Sequence, residues 1–209
     1  MKPPIETIIW DLGNVLIKWN PKNLYRTIFD SEEKVDWFLS NICTSDWNEQ
    51  QDAGRTWEEG TNLLIAQYPE YETQILAYWK RWKETLVGVI SGSEKILCTL
   101  KANNTHRLYA LTNWSAETFP IARERYDFLQ LFEGILVSGE EYLKKPDPKI
   151  YQLLLDRYQI NPHTSIFIDD SEKNVKGAQQ LGIHTIHFKH PQQLQRDLVG
   201  YGIPIDIVI

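Results

Sequence analysis

Residues 6–20 read Glu6-Thr7-Ile8-Ile9-Trp10-Asp11-Leu12-Gly13-Asn14-Val15-Leu16-Ile17-Lys18-Trp19-Asn20. Thr7 to Trp10 is a short apolar run rich in β-branched residues, with Pro3-Pro4 before it and Leu12-Gly13-Asn14 after it. Such a run predicts a buried strand that ends abruptly in a turn. Asp11 stands where that strand stops. A carboxylate is costly to bury, and in open α/β sheets ligands bind outside the carboxyl ends of the strands. Taken alone, Asp11 could equally cap a turn or a helix. The rest of the chain decides between the two.

Working outward, Asn20-Pro21 marks a break, and residues 22–85 carry helical texture with few strand signals. Asp30 with Glu33 has the spacing of a helix N-cap pair before Val35, Phe38 and Leu39. Asp52-Ala53-Gly54 reads as a turn, and Thr56 as the cap of a helix with Leu63, Leu64 and Tyr68 on one face, stopped by Pro69. A further helix is predicted from Tyr71 to Thr85. From Val89 onward helices and strands alternate. Strands are predicted at Arg107–Leu111, Gly134–Val137, Ser165–Ile168 and His184–Phe188. Helices are predicted at Ser91–Lys101, from Ser115 through Arg123, at Pro148–Tyr158, from Ser171 to Leu181-Gly182, and at Gln192–Val199. Ile203 to Ile209 adds a strand or packs. The alternation implies right-handed crossovers and a parallel sheet covered on both faces.

Composition narrows the function classes. The 209 residues are 42% hydrophobic, enough for one substantial core and a small second lobe. Lys plus Arg is 22 against 28 Asp plus Glu, a net charge of -6, and there is no basic run. That argues against a nucleic-acid partner. No segment has the apolar length of a membrane span and no leader is evident, so a cytoplasmic protein without a membrane partner is expected. Cys43 and Cys98 are too few for a disulfide framework or a thiolate zinc site, which suits a reducing compartment. Eight Trp and ten Tyr are many for this length, and most are expected in packing, a few lining a pocket.

The predicted strand ends carry polar groups: Asp11, Thr112 and the pair Asp169-Asp170. Lys144-Lys145-Pro146-Asp147 follows another strand. In a parallel sheet these ends share one edge and can converge. Two adjacent aspartates repel unless a cation or several donors lie between them. Mg²⁺ suits that setting, because it takes oxygen ligands from one or two carboxylates and from phosphate. An Asp nucleophile, a hydroxyl, a Lys and a metal make a set for phosphoryl transfer through an aspartyl phosphate.

These segments resemble the four motifs of the haloacid dehalogenase-like hydrolase superfamily. They occur in order as Asp11-Leu12-Gly13-Asn14-Val15, Leu111-Thr112-Asn113, Lys145-Pro146-Asp147, and Asp169-Asp170 with Asn174 after it. The resemblance implies a Rossmann-like core formed by residues 1–18 and 87–209, with residues 19–86 inserted as an all-helical C1-type cap that selects substrate. It implies Asp11 as nucleophile and metal ligand, and a metal contact from the Gly13 backbone carbonyl. It implies Thr112 as donor to phosphoryl oxygens, Lys145 as charge compensation, and Asp169 and Asp170 as Mg²⁺ ligands. Asn174 is a candidate to orient Asp170. Asn113, Trp47, Asn48 and Arg55 are candidate substrate contacts, and Trp114 a candidate pocket wall. The implied activity is a Mg²⁺-dependent phosphatase of a small phosphorylated metabolite, a sugar phosphate among them, working as a monomer or homodimer.

One position departs from the family pattern. Phosphatases of this kind usually carry a second Asp two residues after the nucleophile, where it serves as general acid and base. Here that residue is Gly13. General acid–base help contributes roughly 10²–10⁴-fold. Three readings follow: a substrate with a good leaving group, a proton supplied from the helical insert by Asp46, Glu49 or Asp52, or a relative without turnover that binds a phospho-ligand. A metal-free 2-haloacid dehalogenase, using the same Asp, is the rival enzyme. Asp169-Asp170 weigh against it, since two acids repel a substrate carboxylate.

Overall fold

β1 (Thr7–Trp10) is buried at all four positions, as its β-branched apolar run requires. It is followed by β2 (Ile17–Trp19), α1 (Lys22–Tyr25), α2 (Glu32–Asn41), α3 (Ser45–Asp52), α4 (Trp57–Gln67), α5 (Glu72–Lys80) and β3 (Leu86–Val89). Next come α6 (Ser91–Asn103), β4 (Arg107–Thr112), α7 (Phe119–Arg125), β5 (Gly134–Val137) and α8 (Ser138–Glu141). The chain continues through α9 (Pro148–Tyr158), β6 (Ser165–Asp169), α10 (Glu172–Gln179), β7 (His184–His187) and α11 (Pro191–Gly200). The structure is a computed structural model and describes residues 4–206.

Five strands form one parallel sheet in the order β5-β4-β1-β6-β7. Successive strand residues point to opposite faces, and the core divides accordingly. Ile8, Trp10, Leu108, Ala110, Ile166 and Ile168 pack with Ile96 and Leu97 of α6 and with Leu194 and Leu198 of α11. Ile9, Tyr109, Leu111 and Phe167 pack on the other face with Ile150, Tyr151 and Leu154 of α9 and Ala178 of α10. This is the Rossmann-like arrangement with helices on both faces. The central position of β1 is what makes its end the focus of the sheet edge. Trp10 lies level with Ala110 on one side and Ile168 on the other. Asp11, Thr112 and Asp169 therefore emerge together.

Helices α1–α5 lie between β2 and β3, which pair antiparallel with Ile17 opposite Val89 and Lys18 opposite Gly88. This ribbon was not evident in the sequence, because three residues directly after a turn carry too little periodicity. The helices are held by aromatic packing: Tyr25 and Phe38 have ring centroids 4.8 Å apart, and Trp57 and Tyr78 5.4 Å apart. Among the described residues no helix is long and apolar enough to cross a membrane.

Several local expectations change. Ser31, not Asp30, is the N-cap of α2, since its extended backbone lets Oγ accept from Lys34 N, while Asp30 pairs with the Lys34 ammonium. Leu63 is 50% exposed on α4, and the buried face is Trp57, Gly60, Thr61 and Leu64. The helix expected over 71–85 ends at Lys80, where Arg81 leaves helical geometry and a 3₁₀ turn covers Trp82–Thr85. The helix expected at Ser115 begins at Phe119, with Pro120 in its first turn. The Ser115 hydroxyl instead accepts from Trp57 Nε1 and Glu117 N. Ile203 and Ile205 pack into the core without forming a strand, and Ile207–Ile209 lie outside the described residues.

Candidate active site

Asp11 follows β1 directly, 7% exposed, with its Oδ1 accepting from Leu12 N at 2.8 Å. The Lys145 ammonium lies 2.8 Å from that same Oδ1 and 2.7 Å from Asp169 Oδ2, and donates to Leu111 O at 3.0 Å. An ammonium has three donors, and all three are used in a place where Lys145 is 1% exposed. Burial alone would lower the Lys145 pKa. Asp11 and Asp169 outweigh it and hold the ammonium above the ordinary lysine range.

Lys145 is aimed by its loop. Asn113, just past β4, donates from Nδ2 to Lys145 O at 3.0 Å and accepts Lys145 N on Oδ1 at 2.8 Å. Asp147 then caps α9 by accepting Lys149 N at 2.9 Å. Asp169 is fixed from the other side, by Ser171 N at 2.8 Å and by Asn174 Nδ2 at 3.1 and 3.2 Å. Asn174 thus orients Asp169 rather than Asp170. Its own backbone carbonyl accepts from Tyr151 OH at 2.8 Å.

The carboxylates of Asp11, Asp169 and the exposed Asp170 bring one oxygen each to within 4.8 Å of one another. Burial and the charge of Asp169 push Asp11 up to about 7, against the pull of Lys145. Desolvation and Asp169 also raise Asp170. Three acids and one ammonium leave an excess of negative charge, which a hard divalent cation with oxygen ligands would neutralise. The buried Thr112 hydroxyl has no hydrogen-bond partner among the described residues. It is a donor placed at the same edge and left free for a ligand oxygen.

Gly13, Asn113, Asp170 and Lys173 from the sheet edge, and Asn48, Glu49 and Asp52 from α3, line a cavity of about 270 Å³. Trp19, Trp82 and Trp114 form an aromatic wall, as foreseen for Trp114. Of the candidate substrate contacts, Asn113 and Asn48 line this cavity. Trp47 and Arg55 do not. Trp47 packs edge-on against Trp57 and Tyr78 and donates to Gly60 O, so its ring is part of the helical packing. Arg55 spends its donors on Gln51 Oε1 at 2.7 Å and Trp47 O at 3.0 Å, bracing α3. Lys144 pairs with Glu49, which also meets Lys173 at 3.1 Å. The pairing across the sheet–insert junction carried no signal in sequence, because it joins residues far apart in the chain.

A parallel sheet whose central strand ends in a buried carboxylate beside a lysine and an acidic pair defines a class of hydrolase. Residues 5–182 match the pattern of the haloacid dehalogenase-like hydrolases, and the chain belongs to that family. A sesquiterpene phosphatase of Aspergillus oryzae is 29% identical over 87% of this chain and 89% of its own length. A drimenol cyclase of Aspergillus calidoustus is 26% identical over 97% of this chain, which spans only 38% of that protein. Among solved structures, a HAD-family enzyme of Bacteroides thetaiotaomicron in its magnesium complex superposes with a TM-score of 0.71 at 26% identity, covering 90% of this chain and 95% of that one. The same enzyme has been solved with magnesium and inorganic phosphate together.

Proposed function

We propose that the protein is a Mg²⁺-dependent phosphatase of a small phosphorylated metabolite, a sugar phosphate among them. The observation that carries this reading is the convergence of Asp11, Asp169 and Asp170 around a buried, charged Lys145. Phosphatase relatives and a neighbour solved with magnesium and phosphate support it.

Asp11 attacks phosphorus through the carboxylate oxygen that is not held by Lys145, and an aspartyl phosphate forms. Lys145 draws Asp11 toward its ionised form and offsets the charge of the incoming phosphate. Thr112 donates its free hydroxyl to a phosphoryl oxygen. Asp11, Asp170 and the Gly13 carbonyl are the groups that would hold the cation, with Asp169 beside them. Bound there, Mg²⁺ supplies charge neutralisation and lets two carboxylates and a phosphate share one site. Helices α1–α5 act as the C1-type cap, excluding water and presenting Asn48 and Asp52 to the substrate. The three-tryptophan wall suits a body with a flat apolar face, such as a sugar ring or a hydrocarbon.

The test is release of inorganic phosphate and of halide from phosphomonoesters, acyl phosphates and 2-haloacids, with Mg²⁺ and with EDTA. Phosphate release that is lost in Asp11→Asn and in EDTA supports the reading. Halide release that survives EDTA replaces it with the dehalogenase. Mg²⁺-dependent phosphate binding with no turnover replaces it with a binding role.

A further inference from the structure

Gly13 has no side chain to move a proton, yet the space for one is present: a Cβ built there meets nothing within 4 Å. The same cavity is lined by Asp52, the last residue of α3. We propose that Asp52 is the general acid and base of the reaction, acting across the cavity in place of the side chain that Gly13 lacks. This rests on the phosphatase reading above.

Asp52 is held as a proton-transfer group needs to be held. Its backbone carbonyl accepts from the Ser138 hydroxyl, and that hydroxyl accepts from Trp114 N at 2.9 Å. Its carboxylate accepts from Asn48 Nδ2 at 3.2 Å, and the Ser115 backbone N–H faces it and favours its charged form. Residues from the end of β4 and the start of α8 thus clamp an acid carried by the helical insert. The other carboxylates of α3 do not qualify. Glu49 is engaged by both Lys144 and Lys173, which overcome its partial burial and hold it below the usual carboxylate range. Asp46 lies in the first turn of α3 and is not among the residues lining the cavity.

The surroundings also favour a proton that comes and goes near neutrality. Burial and Glu49 push Asp52 up to about 7, against Lys144, Lys145 and the Ser115 N–H, with Tyr78 of α5 facing it. The negative end of the α3 dipole acts in the same direction. A group that is half protonated at working pH is the most effective acid and base.

The steps balance. The Asp11 carboxylate forms a bond to phosphorus while the phosphorus–oxygen bond to the leaving group breaks, and the Asp52 carboxyl proton goes to that oxygen. Asp52, now a carboxylate, takes a proton from water as the water oxygen bonds to phosphorus. The bond from phosphorus to Asp11 breaks, and alcohol and inorganic phosphate leave with Asp52 protonated again.

Leaving-group dependence tests this. Wild type, Asp52→Asn and the double variant Asp52→Asn/Gly13→Asp are assayed with Mg²⁺ on ethyl phosphate, p-nitrophenyl phosphate and acetyl phosphate. Ethoxide needs a proton to leave, whereas p-nitrophenolate and acetate do not. The expected result is a fall in ethyl phosphate turnover of about 10²–10⁴-fold in Asp52→Asn, with the other two substrates reduced by less than about tenfold, and recovery on ethyl phosphate in the double variant. Equal loss on all three substrates, with Mg²⁺-dependent phosphate binding intact, assigns Asp52 a structural role and overturns the proposal. Unchanged ethyl phosphate turnover overturns it as well. A wild type that releases no phosphate from any of the three sinks the phosphatase reading itself. Should Asp52→Asn fail to fold, Asn48→Ala removes a donor to the Asp52 carboxylate while keeping the acid. Its rate–pH profile should move to higher pH for ethyl phosphate alone, and an unmoved profile overturns the proposal.

Discussion

The Lys145 ammonium and the Asp169 carboxylate, both effectively inaccessible to solvent, meet at 2.7 Å beside the Asp11 carboxylate. Breaking a buried pair leaves a charge without compensation, at a cost of about 3–5 kcal/mol. Lys145→Met is therefore expected to lower unfolding free energy by about that amount in urea titration. It should also abolish Asp11-dependent phosphate release, since Asp11 loses the ammonium that favours its ionised form.

Asn113 acts on the same lysine from outside. Both of its amide hydrogen bonds go to the Lys145 backbone. Asn113→Ala should cost about 2 kcal/mol, the scale of two modest hydrogen bonds, and reduce kcat more than it raises KM. A pure KM effect, measured by steady-state kinetics, would instead mark Asn113 as a substrate contact.

Glu49 bridges Lys144 and Lys173 at the cavity mouth, with 31% of its own side chain exposed. Partly exposed ion pairs contribute about 0–1 kcal/mol. Glu49→Gln should leave global stability within about 1 kcal/mol of wild type. It should speed amide hydrogen exchange in α3, and the difference from wild type should shrink in high salt.

Asp52 links stability to pH. Its folded pKa, about 7, lies above the unfolded value near 3.9. Between these values the native chain binds more protons than the unfolded one, so the stability associated with Asp52 is fully present below about pH 4 and is lost as pH rises through about 7. Asp52→Asn should melt a few degrees above wild type at about pH 8, and the gap should close toward about pH 4. A gap independent of pH in differential scanning calorimetry would show that Asp52 is already ionised in the native state.

Much of this architecture was legible in one dimension. Thr7–Trp10 and Ser165–Ile168 read as strands because their burial demands continuous apolar runs, and the second extends through Asp169 in the fold. Pro148–Tyr158 read as a helix because Ile150, Leu153 and Leu154 fall on one helical face. The element at Ser115 was misread for an equally local reason: a Ser that suits an N-cap also suits a turn, and a distant partner, Trp57, took its hydroxyl. The β2–β3 ribbon was missed because its pairing joins residues about seventy apart, and neither half is long enough to speak alone.

The sequence by itself determined the fold class and the polar residues at the strand ends, because period and punctuation are local properties and a parallel sheet brings its strand ends to one edge. Only the tertiary structure decided how those residues divide the work. It separated Asn113 and Asn174, which hold Lys145 and Asp169, from Thr112, whose hydroxyl has no partner among the described residues. It turned Arg55 and Trp47 inward to brace the helices and brought Asp52 to the cavity. Those assignments depend on which groups lose water together and which find a partner across the chain, and that is settled only when the helical insert packs against the sheet edge.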